Sequence, residues 1–301
     1  MKHLPAGQSA GIYYIVGACL CFAALDTSTK VAGLLAPVLM LLWFRYLFQA
    51  VATAALRAPV QGRSLLVTRN PRFQLVRGVL LLITSAFSFY GLQVLPVGEF
   101  TAIIMLTPLL VTVLAAVQLH EKVSPLRWAL LVGGLAGALL VVRPGGQVFG
   151  WGVLLPVGMV VSYAFFQALT RRMAVDENPY TTHFYTGLVG TLVMSCIVPW
   201  AWSTQALLAH WPWFMALGFF GTFGHLLLIR AFARAPASVL TPYLYSQIAF
   251  GTAGGWLAFK HTPDGVAWLG IALVAVCGIA SGFLSAREYR SRQASALPAQ
   301  G

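Results

Sequence analysis

The sequence predicts an all-α membrane protein: ten transmembrane helices arranged as two inverted five-helix repeats around a central cavity. Three observations predict it. Hydrophobic residues make up 59% of the chain and charged residues only 9%, whereas a soluble domain carries about 25% charged residues. The apolar residues fall in continuous runs of about 20, enough to span hydrocarbon at about 1.5 Å per residue. An outline of apolar run, polar turn and apolar run also comes twice, 140 residues apart. Backbone polar groups in lipid must be paired internally, which leaves helices or a closed barrel. The runs lack the period-two alternation of a barrel strand.

Taken in order, the runs place spans at 10–32, 37–56, 74–95, 99–119, 125–142, 150–170, 180–202, 212–232, 238–259 and 265–286. Each end is good to about 2–4 residues. The connections are short. The longest, about Arg57 to Phe73, holds Arg57, Arg63, Arg69 and Arg72. No stretch suits a soluble domain. Asp26 and Lys30 follow the first apolar stretch and another comes at once, so the first run reads as a retained span, not a cleaved signal. Residues 287–301 are basic, then small and polar, and are expected to form a disordered tail.

The repeat rests on one hairpin and its copy. The run from Phe100 to Leu119 is broken by Thr101, Thr107-Pro108, Thr112 and Gln118, then turned by His120-Glu121-Lys122 before a run near Trp128. After Pro236, a run to Phe259 meets Lys260-His261-Thr262-Pro263-Asp264, then Trp268. Identity between the copies is thin: Pro96/Pro236, Thr101/Thr241, Thr112/Thr252 and Trp128/Trp268. Registered hydropathy, turn position and the Trp carry the repeat instead. The bland alternative is that ten apolar helices look alike by accident. A true repeat divides the chain into residues 1–146 and 147–286. Five spans per half is an odd number, so the second half inserts upside down. Such inverted repeats mark secondary transporters, with the site near the midplane between halves.

Charge sets the orientation. Fifteen Lys/Arg fall on one side: Lys2, the arginines from Arg57 to Arg77, Lys122, Arg127, Arg171, Arg172, Arg230, Arg234, Arg287, Arg290 and Arg292. Lys30, Arg143 and Lys260 fall on the other. The basic side faces the cytoplasm, so both termini are expected there, in a multi-pass protein of the cell (inner) membrane. Topology therefore accounts for the net charge of +12, and a nucleic-acid partner, which such a charge would suggest in a soluble protein, is not expected. The four cysteines, Cys19, Cys21, Cys196 and Cys277, lie inside apolar runs without metal spacing and read as packing residues.

Several patterns together resemble the EamA-type branch of the drug/metabolite transporter superfamily. They are Asp26…Lys30…Trp43-Phe44-Arg45-Tyr46; Leu95-Pro96 followed by Thr107-Pro108; Leu119-His120-Glu121-Lys122-Val123 with Arg127-Trp128; and Arg143-Pro144-Gly145. In the second half they are Gly224-His225 and Ala231…Ala235-Pro236-Ala237-Ser238. The likeness covers nearly the whole chain. It implies a carrier of amino acids, amines, purines, vitamins or adenosyl compounds. One departure is His261 at the place matching Glu121, where many relatives keep an acidic residue.

Ionisable groups inside spans cost about 2.5–3.5 kcal/mol each and are functional by default. Asp26 and Arg45 lie at similar depths in the first two spans, with Lys30 one turn beyond Asp26 and competing for it. They form either a buried ion pair that fixes packing or a site for a charged end of the substrate. His225 is either a hydrogen-bonded core histidine or a cavity-lining, proton-sensitive one. With Asp26 it is a candidate coupling residue, protons being a candidate partner. A shift of 141 residues pairs Asp26 with Gln167, one turn from Tyr163, and Phe44-Arg45-Tyr46 with Tyr185-Thr186-Gly187. Tyr90 and Gln93 in the third span, and Tyr243 and Gln247 in the ninth, are further substrate-binding candidates. Pro108 and Pro242 remove a helical hydrogen bond and read as hinges or as helix starts. Glu99 is expected to cap the fourth helix.

The leading reading is a secondary transporter working by alternating access, as a monomer or dimer in the bilayer, with no cofactor and no catalytic residue. A membrane-embedded transferase would need clustered acids or a dyad, and this chain has seven scattered acidic residues. A non-transporting scaffold or sensor is the third reading.

Overall fold

A computed structural model describes residues 6–111, 125–142, 152, 154–173, 177–232, 234, 235 and 237–296. Thr112, Gln118, the His120-Glu121-Lys122 turn, Arg143-Pro144-Gly145, the boundary at 146/147, Pro236 and residues 297–301 lie outside the described residues; residues 287–296, expected as disordered tail, continue the last helix. Among the described residues the elements are all helical. They are α1 (Ala6–Gly33), α2 (Val38–Gln61), α3 (Pro71–Val94), α4 (Val97–Ile104), α5 (Pro125–Val142), α6 (Leu154–Met173), α7 (Pro179–Ser195), α8 (Thr204–Phe232), α9 (Ala237–Leu244), α10 (Ser246–Phe259) and α11 (Gly265–Ala296).

Among these, five segments are long and apolar enough to cross a membrane: Ser9–Gly33, Val38–Leu66, Pro71–Val94, Thr204–Phe232 and Gly265–Leu284. Three shorter apolar helices, Val97–Val111, Trp128–Val141 and Leu154–Thr170, each overlap an expected span. The structure thus gives five clear spans where the sequence predicts ten. Two expected spans are shifted as helices because the chain turns early. α7 stops at Ser195, and residues Val198–Ala201 form a 3₁₀ turn. α8 starts at Thr204, eight residues before the expected span, and kinks at His210 (φ −128°, ψ 21°) just before Pro212, whose ring cannot continue the hydrogen-bond ladder.

The helix ends follow from local sequence. Pro71 and Pro179 start α3 and α7, where the missing N–H is no loss. The Asn178 side chain accepts from the Tyr180 N–H at 2.9 Å, an N-cap. α2 stops at Gly62, whose φ of 56° suits a residue without Cβ.

Two apolar runs break in the middle, and they break at equivalent places. α4 ends at Ile104; Met105 and Leu106 form a turn, and helix resumes at residue 107. α9 ends at Leu244, and α10 starts after Tyr245. Met105 and Tyr245 are separated by 140 residues, the repeat spacing, and they touch: the Tyr245 hydroxyl donates to the Met105 carbonyl at 3.1 Å. Pro108 cannot donate to the Ile104 carbonyl four residues back, and the Thr107 hydroxyl does so instead at 2.7 Å. The Tyr245 ring occupies the space beside Gly278, where an added Cβ would lie 1.8 Å from it.

The helices pack in pairs that map onto one another when α1–α5 are exchanged for α6, α7, α8, α9–α10 and α11. α1 packs on α8 as α6 packs on α3; α2 on α8 as α7 on α3; α1 on α10 as α6 on α4. α2 with α7, α4 with α10 and α5 with α11 pair across the exchange. The α5–α11 crossing is close: a Cβ on Gly137 would lie 2.8 Å from the Gly270 carbonyl oxygen, and one on Gly270 2.6 Å from that of Gly137. One apolar core gathers Leu92, Phe100, Ile103, Tyr245 and Val274; another gathers Met40, Leu41, Tyr46, Phe214 and Leu217.

Candidate functional site

Between α2, α7 and α8 lies a cluster of buried polar side chains. Arg45, 4% exposed, donates from Nη1 to the Ser85 hydroxyl of α3 at 2.8 Å and lies over the Tyr46 ring at 4.8 Å. Tyr46 shares the same Ser85 oxygen at 2.7 Å. One turn on, the Gln49 amide donates to the His183 carbonyl at 3.0 Å and meets His183 Nδ1 at 3.2 Å. His183 stands edge-on to His225 with ring centroids 6.0 Å apart. His225 Nδ1 donates to the Gly221 carbonyl at 2.8 Å. Gly221 closes the circuit, because a Cβ there would lie 3.2 Å from Arg45 Nε.

Two further charges flank the cluster. Asp26, buried in α1, accepts from Gln247 of α10 at 3.3 Å. Arg77 of α3 donates to the Thr170 hydroxyl at 2.8 Å, the Thr182 carbonyl at 3.2 Å and the Thr186 hydroxyl, with Phe166 beneath it at 4.5 Å.

The sequence-derived candidates divide. Asp26, Arg45, His225 and Gln247 are in or beside this cluster. The expected Asp26–Arg45 contact is not formed; each charge takes a neutral partner instead. Lys30 does not compete for Asp26 either. It donates to the Leu92 and Leu95 carbonyls at 2.6 and 2.8 Å, satisfying orphan acceptors at the end of α3. Gln93 ties α3 to α1 through the Thr29 carbonyl at 3.3 Å. Tyr163 stacks on Phe166 at 5.7 Å. The Tyr185 hydroxyl holds the Leu66 carbonyl at 2.8 Å, beyond the cluster. Gln167 is half-buried, and Tyr90 and Tyr243 are exposed; none of the three joins the cluster. Pro242 packs its ring near Gly282.

Sequence reasoning passed over Gln49 and His183 and read Arg77 as a surface charge. A usable signal was the one-turn spacing of Arg45, Gln49 and Thr53, and of Thr182 and Thr186, which puts each set on one helix face.

Two carboxylates tie the halves together away from this centre. Glu99, in the first turn of α4, meets His261 at 2.9 Å. Its place in the first turn is the one where the helix dipole favours a carboxylate, and from there it also bonds across to the α10–α11 loop. Beside this pair lies a cavity of about 270 Å³ lined by Lys30, Pro96, Val97, Gly255, Phe259 and His261. Glu177, buried before α7, accepts from the Thr68 hydroxyl at 2.8 Å and from the Arg69 and Asn70 N–H groups at 2.9 Å each.

The EamA-like transporter family profile matches residues 9–143 and again residues 150–281. The chain belongs to the EamA-like transporter family. Its membership covers both halves, so the repeat read from hydropathy is a tandem of one EamA domain. A crystal structure 21% identical in sequence superposes on 92% of this chain and 98% of its own, with a TM-score of 0.67; at that identity the likeness speaks for the fold. Among relatives, an S-adenosylmethionine uptake transporter of Rickettsia bellii is 25% identical over 256 residues, covering 85% of this chain and 87% of that one. A riboflavin transporter of Rhizobium johnstonii is 27% identical over 232 residues, 76% of this chain and 75% of that one. A pseudopaline exporter of Pseudomonas aeruginosa is 26% identical over 277 residues, 90% of this chain and 95% of that one.

Proposed function

We propose that this EamA chain is a secondary carrier that moves a small metabolite across the membrane by alternating access. The observation that carries the reading is the buried polar cluster. Arg45, Gln49 and Ser85 come from one EamA repeat, His183 and His225 from the other, and all sit in apolar helices. Polar groups there are costly and mark a pathway, and a site shared between repeats can face either side as the halves rock. The relatives carry metabolites of three unlike kinds, which supports a small-molecule substrate and leaves its identity to this chain's own cluster.

The finer architecture follows from the same reading. Residues 1–146 and 147–286 are the two repeats, each of five spans crossing in opposite senses around a central cavity, with 287–301 as a tail. The exchange symmetry of the packing supports it. Both termini face the cytoplasm, in the inner membrane of the cell. Asp26 and His225 are the candidates for proton coupling. The α4 and α9–α10 breaks, with Pro108 and Pro242 beside them, are the hinges. The chain acts as a carrier and not as an enzyme.

Reconstitution tests this. Proteoliposomes preloaded with unlabelled S-adenosylmethionine, riboflavin and amino acids should exchange at least one of them for its labelled form faster than protein-free vesicles. Exchange equal to that of empty vesicles for every compound contradicts the reading.

A further inference from the structure

The cluster is rich in donors and poor in acceptors. Arg45 Nε and His183 Nε2 are buried without a hydrogen-bond partner, and so is the Thr222 hydroxyl beside Gly221. Since His183 Nδ1 accepts from the Gln49 amide, its Nε2 carries the proton and is a donor. The Gln49 Oε1 is an orphan acceptor in the same set, suited to a hydroxyl or amine. An orphan donor or acceptor left unmade in a buried site is costly.

Charge points the same way. Arg45 and Arg77 are both buried, and neither meets a carboxylate among the side chains described. Asp26 is held by Gln247, Glu99 by His261 and Glu177 by the turn before α3, while Asp264 accepts from the Ala267 N–H. Asp26 lies within electrostatic reach of Arg45 without touching it, so the two guanidiniums have one carboxylate near them and hydrogen bonds only to neutral groups; a buried guanidinium held this way is incompletely neutralised, and its planar fork matches a carboxylate.

We propose that the metabolite carried by this protein bears a carboxylate, and that this group takes up the free donors of Arg45 and His183 within the circuit formed by Gln49, Gly221, Thr222 and His225. This rests on the carrier reading and narrows it to substrates with an anionic end. Arg77, one helical turn of α7 away from His183 through Thr186, adds a second positive charge without needing to touch the ligand.

Counterflow decides it without knowledge of coupling or direction. Proteoliposomes holding the full chain are preloaded with an unlabelled mixture of the amino acids, their C-terminal amides, S-adenosylmethionine and riboflavin, and given the labelled mixture outside. Mass spectrometry reads the contents. Labelled carboxylates should accumulate while amides and riboflavin stay at the level of protein-free vesicles, and Arg45→Gln should lower the uptake about tenfold to a hundredfold. Amides or riboflavin accumulating as well as the acids overturns the carboxylate assignment and leaves the carrier reading intact. No accumulation of any compound by folded protein rejects the carrier reading itself. Should Arg45→Gln fail to fold, the acid-against-amide comparison on the unaltered protein still separates these outcomes.

Discussion

Asp26 and Arg45 each rest on a neutral side chain, Gln247 and Ser85. No direct ion pair forms between them; each charge is held in place by a neutral hydrogen-bond partner. The sequence named Asp26, Arg45 and His225 because ionisable groups are scarce in apolar runs. It missed Gln49 and His183 because amides and single histidines in a run look like ordinary interhelical glue. It singled out Tyr90 and Tyr243, which stand outside the cluster, because in a helix apolar on every side spacing does not say which face turns inward. Glu177 was also passed over, since a carboxylate in a short loop reads as surface charge. Three donors converge on its Oε1 from the turn that starts α3. Glu177→Ala should therefore destabilise the protein by about 1–3 kcal/mol, seen as a lower melting temperature in detergent. An unchanged melt would mean that water serves that turn as well.

Among the elements, the broken helices carry the most consequence. Hydropathy found both runs but not the breaks, because Met105-Leu106 and Leu244-Tyr245 contain no residue that stops a helix. The prolines were the available signal, and they are offset: Pro108 follows its break and Pro242 precedes its own. What the sequence could not convey is that the two breaks meet. A carbonyl released at Met105 needs a donor in a setting without water, and Tyr245 from the other repeat supplies it. Tyr245→Phe should cost about 0.5–1.5 kcal/mol through that bond. Gly278→Val should cost more, because its side chain would fill the space of the Tyr245 ring. Thermal unfolding of the two variants ranks them; a Gly278→Val protein as stable as the parent would remove Tyr245 from this place.

For the whole molecule, hydropathy read a tandem repeat, and the family profile matches twice along the chain, at residues 9–143 and 150–281. Among the described residues five clear spans emerge against ten expected in the whole chain, and breaks and early turns shorten individual helices below the length a continuous span would have. The α5–α11 crossing joins the repeats backbone to backbone at Gly137 and Gly270, as small residues allow in membranes. Gly137→Leu or Gly270→Leu should force those helices apart and lower the yield of folded, monodisperse protein on size-exclusion chromatography, whereas Leu at the open Gly265, where an added Cβ meets nothing within 4 Å, should not.

In the carrier we propose, opposite insertion of the two repeats lets one buried cluster be reached from either side. The most direct measurement labels single cysteines in a cysteine-free background, at Leu34 between α1 and α2 and at Asn178 between α6 and α7, equivalent loops of the two repeats. A membrane-impermeant maleimide applied to intact cells should react at Leu34→Cys and reach Asn178→Cys only after permeabilisation. Labelling of both from the same side would contradict the account.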